Sequence, residues 1–156
     1  PDHTLWKTYM TDEEFQENLK IGIPAEDKVY SYLRMNYSCV QDMRYQKHEK
    51  GTGPRLEGTI GHLILPDFAY YDRYKGKGLI DVKYKAKPYF TVDDYKFRDY
   101  KECVGIMNLE KLLLVFVYED EMYFYDSSEA AGPKVFNNSY GKAAYVFDYD
   151  RSKIKY

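Results

Sequence analysis

The 156-residue chain is long enough for one hydrophobic core, so a single domain spanning residues 1–156 is expected. Its apolar fraction of 44% is inflated by 19 tyrosines, and with 31% charged residues and no apolar run approaching 18, a transmembrane span is excluded. A net charge of −2, from 23 Lys and Arg against 25 Asp and Glu, excludes a binder that relies on bulk positive charge but leaves room for a local basic patch.

Thr11-Asp12-Glu13-Glu14 has the form of a capping box opening a short helix, with Phe15 and Leu19 as apolar contacts and Gly22 as its stop. Pro24 suits the first turn of a second helix running to about Tyr37. Residues 39–48 alternate in polarity like a strand, and Glu49–Gly58 reads as a charged, Gly-rich loop. Residues 59–71 form an apolar strand, Asp72–Gly78 a turn and Leu79–Lys85 the returning strand of a hairpin. Thr91 is placed to cap a helix over about 92–108, whose apolar stripe is Val92, Tyr95, Tyr100, Cys103, Val104 and Met107. Lys111–Tyr118 is the most apolar strand and reads as buried on both faces. Glu119-Asp120-Glu121 turns into Met122–Tyr125, and Ala143–Asp148 supplies a last strand. The order is an α/β layer with a mixed central sheet; its core covers about 22–125, and 1–21 and 127–156 are peripheral elements.

The chemistry concentrates in Pro66-Asp67 and Ile80-Asp81-Val82-Lys83. Alternation along a strand puts Asp81 and Lys83 on one face and Ile80 and Val82 on the other. A hairpin centred near Lys75-Gly76 sets Asp67 opposite about residue 83, so Asp67, Asp81 and Lys83 converge. Two carboxylates can hold Mg²⁺ (Mn²⁺ as its substitute) through hard oxygen ligands, with the Val82 carbonyl between them as a further ligand. A metal so held activates water and offsets charge in phosphodiester hydrolysis, and a neighbouring lysine orients that water or stabilises the developing charge.

Pro66-Asp67…Asp81-Val82-Lys83 on the second and third strands of an αβββαβ order resembles the PD-(D/E)XK nuclease superfamily. The resemblance implies a restriction-endonuclease-like core with a mixed central sheet flanked by helices, Mg²⁺-dependent cleavage of nucleic acid, and DNA as the preferred substrate. It also implies a metal-site acid on the first core helix, for which Glu26 matches; the helical wheel puts Glu26 with Val29, Tyr30 and Leu33 and turns Asp27 toward water. Some members carry Gln-x-x-x-Tyr on the helix after the third strand. Here Tyr100 matches and Lys96 stands in place of the glutamine.

Residues 73–87 hold six basic side chains against one acid, a local patch suited to a phosphate backbone. Lys75, Lys77, Lys85, Lys87, Lys96 and Tyr100 are the nucleic-acid contacts expected from it, and the loop at 47–55 adds further basic residues. Gly51-Thr52-Gly53 lacks the Lys-Ser/Thr ending of a P-loop. His62 stands an odd number of residues from Asp67 and so belongs to the other strand face; His48 reads as an exposed loop residue and Trp6 as an anchor for the first helix. Cys39 and Cys103 read as reduced thiols, and with three scattered histidines they give a zinc site no support. No secretory signal is visible, so with Pro1 read as following an initiator Met a cytoplasmic protein is expected, in the host-cell cytoplasm if the source is viral. One active site per chain makes a homodimer the geometry for cutting both strands of a duplex. The competing reading is a catalytically silent nucleic-acid-binding module on the same fold.

Overall fold

The computed structural model describes residues 11–44, 55–58, 61–135 and 142–156. Helix α1 (Asp12–Asn36) opens where the capping signal stands, with the Glu14 N–H donating to Thr11 Oγ1 at 3.1 Å. It does not stop at Gly22, and Pro24 lies inside it. The proline removes one N–H, and its partner carbonyl on Lys20 stays hydrated because Lys20, Ile21, Ile23 and Pro24 are all exposed. Val29 and Leu33, both fully buried, hold the second half of the helix against the sheet. The Phe15 and Leu19 side chains, together with Trp6, His48 and residues 51–53, lie outside the described residues.

Strand β1 (Cys39–Asp42) is shorter than the alternation suggests. Residues 55–58, expected in a loop, form β2 (Arg55–Gly58), which pairs with β3 (Gly61–Ile64). The apolar run read as one strand over 59–71 is therefore two, β3 and β4 (Phe68–Asp72), split by Leu65-Pro66-Asp67. Pro66 has no N–H for a ladder, which is the physical reason for the break. A tight turn returns β4 into β5 (Gly76–Tyr84), with Phe68 opposite Ile80 and Asp72 opposite Gly76. The hairpin is thus centred on Tyr74, and by the same register Asp67 faces Asp81, two residues short of the expected 83.

Val92 and Asp93, expected to open the helix over about 92–108, belong instead with Phe90 and Thr91 to β6 (Phe90–Asp93), and α2 runs over Asp94–Ile106. Asp93 takes the N-cap position, while Thr91 Oγ1 accepts from Lys85 Nζ at 3.2 Å. Phe97, Tyr100 and Cys103 are the buried residues of α2; Tyr95, read as part of its stripe, is 44% exposed. Strands β7 (Lys111–Tyr118) and β8 (Glu121–Asp126) form a hairpin, with Glu119 and Asp120 both at positive φ in its two-residue turn. β9 (Ala131–Val135) and β10 (Ala143–Phe147) join β6 in a separate three-stranded sheet, and β11 (Ile154–Lys155) closes the main one.

The main sheet has the order β1-β4-β5-β7-β8-β11, in which β5 and β7 are parallel and every other pair is antiparallel. The parallel pair needs a crossover, and α2 supplies it. α1 covers one face against Phe68, Tyr70, Ile80, Val82, Val115 and Val117. α2 and the small sheet cover the other against Leu79, Leu112, Leu114 and Phe116, with Phe147 and Ile154 in the same core. Within the main sheet the order α1-β1-β4-β5-α2-β7 is the expected αβββαβ core, with the β2–β3 hairpin and β6 as insertions.

Candidate active site

Asp67 comes directly after the proline that ends the ladder, one residue outside the last β4–β5 pair. Its side chain takes over the missing ladder contact: Asp67 Oδ2 accepts from the Val82 N–H at 2.9 Å. Its backbone carbonyl meanwhile accepts from Met43 N at 3.0 Å. In an extended strand the N–H and C=O of one residue point to the same edge, so the Val82 carbonyl is aimed toward the Asp67 side as well.

Asp81 lies on the α2 face of β5 and is only 3% exposed. Lys83 Nζ stands 3.0 Å from Asp81 Oδ2 in an ion pair, the carboxylate being buried and the lysine partly so. Lys83 Nζ also donates to the Tyr100 hydroxyl at 3.3 Å, and lies 5.6 Å from that ring's centroid. The alternation of β5 and the inward stripe of α2 therefore bring Asp67, Asp81, Lys83 and Tyr100 to one place.

Two carboxyls of this neighbourhood, Asp67 and Glu26, resist ionisation. Burial, then the charges of Asp81 and Glu26, push the Asp67 carboxyl well above the usual carboxylate range, against the opposing pull of the Val82 N–H and Lys83. Glu26 rises to about 7, chiefly by burial and then by Asp81, with Arg44 pulling the other way. Burial lowers Lys83, but Asp81, Tyr100 and Asp67 outweigh it and keep the ammonium well above the ordinary lysine range. Tyr100 is raised by burial and by Asp81.

Glu26 faces this group from α1, its side chain 21% exposed against 56% for Asp27, and Arg44 holds it in place. The Arg44 guanidinium is almost wholly buried; it donates to Asp42 Oδ1 and Oδ2 at 2.9 and 2.8 Å, to Asp27 Oδ1 at 2.9 Å and to Glu26 Oε1 at 3.5 Å. It also lies over the Tyr30 and Phe68 rings, 5.5 and 5.0 Å from their centroids. Nothing in the sequence marks Arg44, whose partners come from two separate elements.

The basic residues divide into two groups. Lys85 and Lys96 border the site. Burial, then Lys83, brings Lys85 to about 8, and Lys83, then burial, brings Lys96 to about 8. Lys87 is exposed just beyond the end of β5. Lys75 and Lys77 lie at the other end of the hairpin: Lys75 Nζ donates to the Asn36 carbonyl at 2.9 Å over the Tyr37 ring, and the Lys77 backbone exchanges hydrogen bonds with Glu110. Four residues of strand put Lys77 about 13 Å from Asp81. His62 is exposed on β3.

Among the described residues no three or more His, Cys, Asp or Glu side chains come together as an ion's ligands, and no helix is long and apolar enough to cross a membrane. A site of two carboxylates and a carbonyl suits Mg²⁺, which keeps several of its waters. The hard-oxygen donor set, with Asp81 buried and Asp67 pushed toward protonation by burial and by its neighbouring carboxyls, is the feature that fits a cation.

No protein-family profile matches the chain, and no curated protein matches it by sequence. Among solved structures it is similar to Hjc, a Holliday junction resolvase from the archaeal hyperthermophile Archaeoglobus fulgidus, with a TM-score of 0.56 over 81% of this chain and 83% of that one. At 9% sequence identity the likeness is one of fold, and the fold is a mixed α/β layer of the restriction-endonuclease-like kind.

Proposed function

We propose that the protein is a metal-dependent nuclease that hydrolyses phosphodiester bonds in DNA. The observation that carries this reading is the convergence of Asp67, Asp81 and Lys83 on one sheet face, with Asp67 Oδ2 held by the Val82 N–H and Lys83 Nζ 3.0 Å from the buried Asp81 carboxylate. Asp67, Asp81 and the Val82 carbonyl would hold Mg²⁺ or Mn²⁺, with Glu26 supporting the site from α1. A metal held there would lower the pKa of a bound water and set positive charge against the phosphoryl oxygens. Lys83, steadied between Asp81 and the Tyr100 hydroxyl, directs its remaining protons at the attacking water or at a non-bridging oxygen. Lys85, Lys87 and Lys96 contact phosphates beside the scissile one, and Lys75 and Lys77 meet the backbone farther along.

The similarity in fold to a Holliday junction resolvase adds branched DNA to the substrates worth testing, and a homodimer is the assembly that would cut two strands. The test incubates the protein with labelled single-stranded, duplex and branched DNA and with RNA, in Mg²⁺, Mn²⁺ or EDTA. Cleavage that requires metal and falls at least about a hundredfold in Asp81→Asn and in Lys83→Ala is the expected result. Metal-independent cleavage, or full activity in Asp81→Asn, overturns it. If the folded protein cuts nothing and Mn²⁺ binding does not change in Asp81→Asn, the silent binding module takes its place.

A further inference from the structure

Two elements outrun their neighbours beside the carboxylates. α1 runs antiparallel to β5: Lys75 Nζ, just before the strand, donates to the Asn36 carbonyl at the helix's end, whereas Glu26, ten residues earlier, senses the Asp81 charge. The stripe that buries Ala25, Val29 and Leu33 continues to Ile21 and Gly22, one turn nearer the helix start. That turn rises about 6 Å beyond Glu26, and two residues carry β5 about 7 Å beyond Val82 to Tyr84, so Ile21 and Gly22 stand level with Tyr84. The adjoining strand has ended by then, since β4 pairs with β5 only as far as Phe68 opposite Ile80. The overhang is open: Ile21 is 48% exposed, and a Cβ added at Gly22 would meet only Glu26 Oε2, at 3.9 Å.

Tyr84 faces this overhang. Alternation from Ile80 and Val82, which pack against α1, puts its side chain on the α1 face. It belongs to neither apolar core and is 47% exposed, and among the described residues no ring packs on it and no group bonds its hydroxyl. Its backbone is open as well. The Lys85 N–H donates to the Val117 carbonyl at 2.9 Å, so the odd-numbered groups at this end of β5 face β7 and the even-numbered ones face the side that β4 has left. Asp67 Oδ2 takes the Val82 N–H; the next on that edge, the Tyr84 N–H, has no partner among the described residues. An N–H so placed, with Lys83 beside it and the exposed Lys87 three residues on, suits a phosphate. Ile21 and the tyrosine ring suit a base. The exposed acids Glu13, Glu14 and Glu17 outnumber Lys20 on the first turns of α1 and keep phosphates off that flank.

We propose that the space between Tyr84 and the α1 overhang at Ile21 and Gly22 holds an unpaired nucleotide next to the cleaved bond, its base against the tyrosine ring and its phosphate on the Tyr84 N–H. An aromatic face takes any base, which is how single strands are bound without sequence preference. A base inside a continuous duplex is already stacked, so this space selects single strands, flaps or the splayed arms of a branch. The inference rests on the nuclease reading for the identity of the neighbouring bond, but it is tested by binding alone.

The test uses the full-length protein in EDTA, with fluorescein-labelled dT15, a 15-base-pair duplex and a forked duplex as probes, read by anisotropy. Tyr84→Ala weakens dT15 and the fork roughly tenfold and leaves the duplex unchanged, whereas Tyr84→Phe retains binding. Gly22→Leu fills the space from the helix side: it weakens dT15 by a similar factor, yet unfolds at the same or a higher urea concentration, because leucine favours a helix more than glycine does. Unchanged dT15 binding in either Tyr84→Ala or Gly22→Leu, equal losses on duplex and single strand, or no dT15 binding by the parent protein overturns the proposal. A protein that cuts nothing but binds dT15 through Tyr84 refutes the nuclease and keeps this site; one that cuts, and binds dT15 equally well as Tyr84→Ala, does the reverse.

Discussion

Raising the pH of the metal-free protein from 5 to 8 forces charge onto Glu26 in a place that resists it. Its pKa rises from 4.5 to about 7 because burial, and then the Asp81 charge, disfavour the carboxylate more than Arg44 favours it. The folded protein therefore binds this proton more tightly than the unfolded chain. The stability so gained is complete below pH 4.5 and lost as the pH passes 7. At about 1.4 kcal/mol per pH unit the loss is about 3 kcal/mol. Asp67 is shifted in the same direction, partly by Glu26, and adds to the slope. Glu26→Gln removes the titrating group while keeping an amide oxygen that can still accept from Arg44. Urea unfolding in EDTA at pH 5 and pH 8 should show the parent chain losing stability by about 3 kcal/mol or more, and the variant losing much less. Millimolar Mg²⁺ should recover stability at pH 8 in the parent protein, since a ligand bound only by the native state stabilises it. An identical pH dependence in Glu26→Gln would refute the argument, because the carboxylates would then not be sharing one desolvated space.

Arg44→Ala should cost about 3–5 kcal/mol by urea unfolding, since it leaves Asp42 and Glu26 partly buried without their cation. Arg44→Lys should recover little of that, because a single ammonium cannot reproduce the fork that reaches Asp42 and Asp27 at once. Gly78→Ala should destabilise by about 3 kcal/mol: the added Cβ would lie 2.5 Å from the Lys111 carbonyl and 2.7 Å from the Tyr70 ring, and the central β5–β7 pair has no room to part. Tyr125→Phe should cost about 2 kcal/mol, because its hydroxyl donates to the Asp148 carbonyl at 2.7 Å and accepts from Asp150 N at 3.1 Å, tying the C-terminal segment to the sheet. A melt that begins in that segment, tracked by hydrogen exchange of Ile154 and Lys155, is the accompanying readout.

The elements legible in the sequence are those written in local period. β5 and β7 come from apolar alternation and an unbroken apolar run, and the Thr11 cap from its box. Glycine and proline are the less reliable signals here. Gly22 reads as a stop and Pro24 as the first turn of a new helix, yet one helix passes through both, because the lost hydrogen bond lies on a hydrated flank and Val29 and Leu33 anchor the turns beyond it. Pro66 is the opposite case: the apolar stretch around it suggests one continuous strand, but the missing N–H splits the run. The start of the second helix is displaced by tertiary pairing. Phe90–Asp93 has a neighbour in β10, some fifty residues on, which no local cap or propensity can announce.

The convergence of Asp67, Asp81 and Lys83 is legible because each rests on a rule of chain geometry: alternation along β5, and a hairpin joining β4 to it. The two-residue difference in register does not scatter them, since an even slip keeps every side chain on its own face. An odd slip would have sent Asp67 to the α1 side, where Phe68 and Tyr70 now pack. Arg44 obeys no such rule. Arg44 acquires its meaning from Asp27 on another element. The two-strand geometry that holds the carboxylates is therefore local, whereas the groups that tune Glu26 and extend the basic face are assembled by tertiary contact. Substitutions in the β4–β5 turn should accordingly disturb the carboxylates directly, while Glu26 answers to changes at Arg44, far from it in the chain.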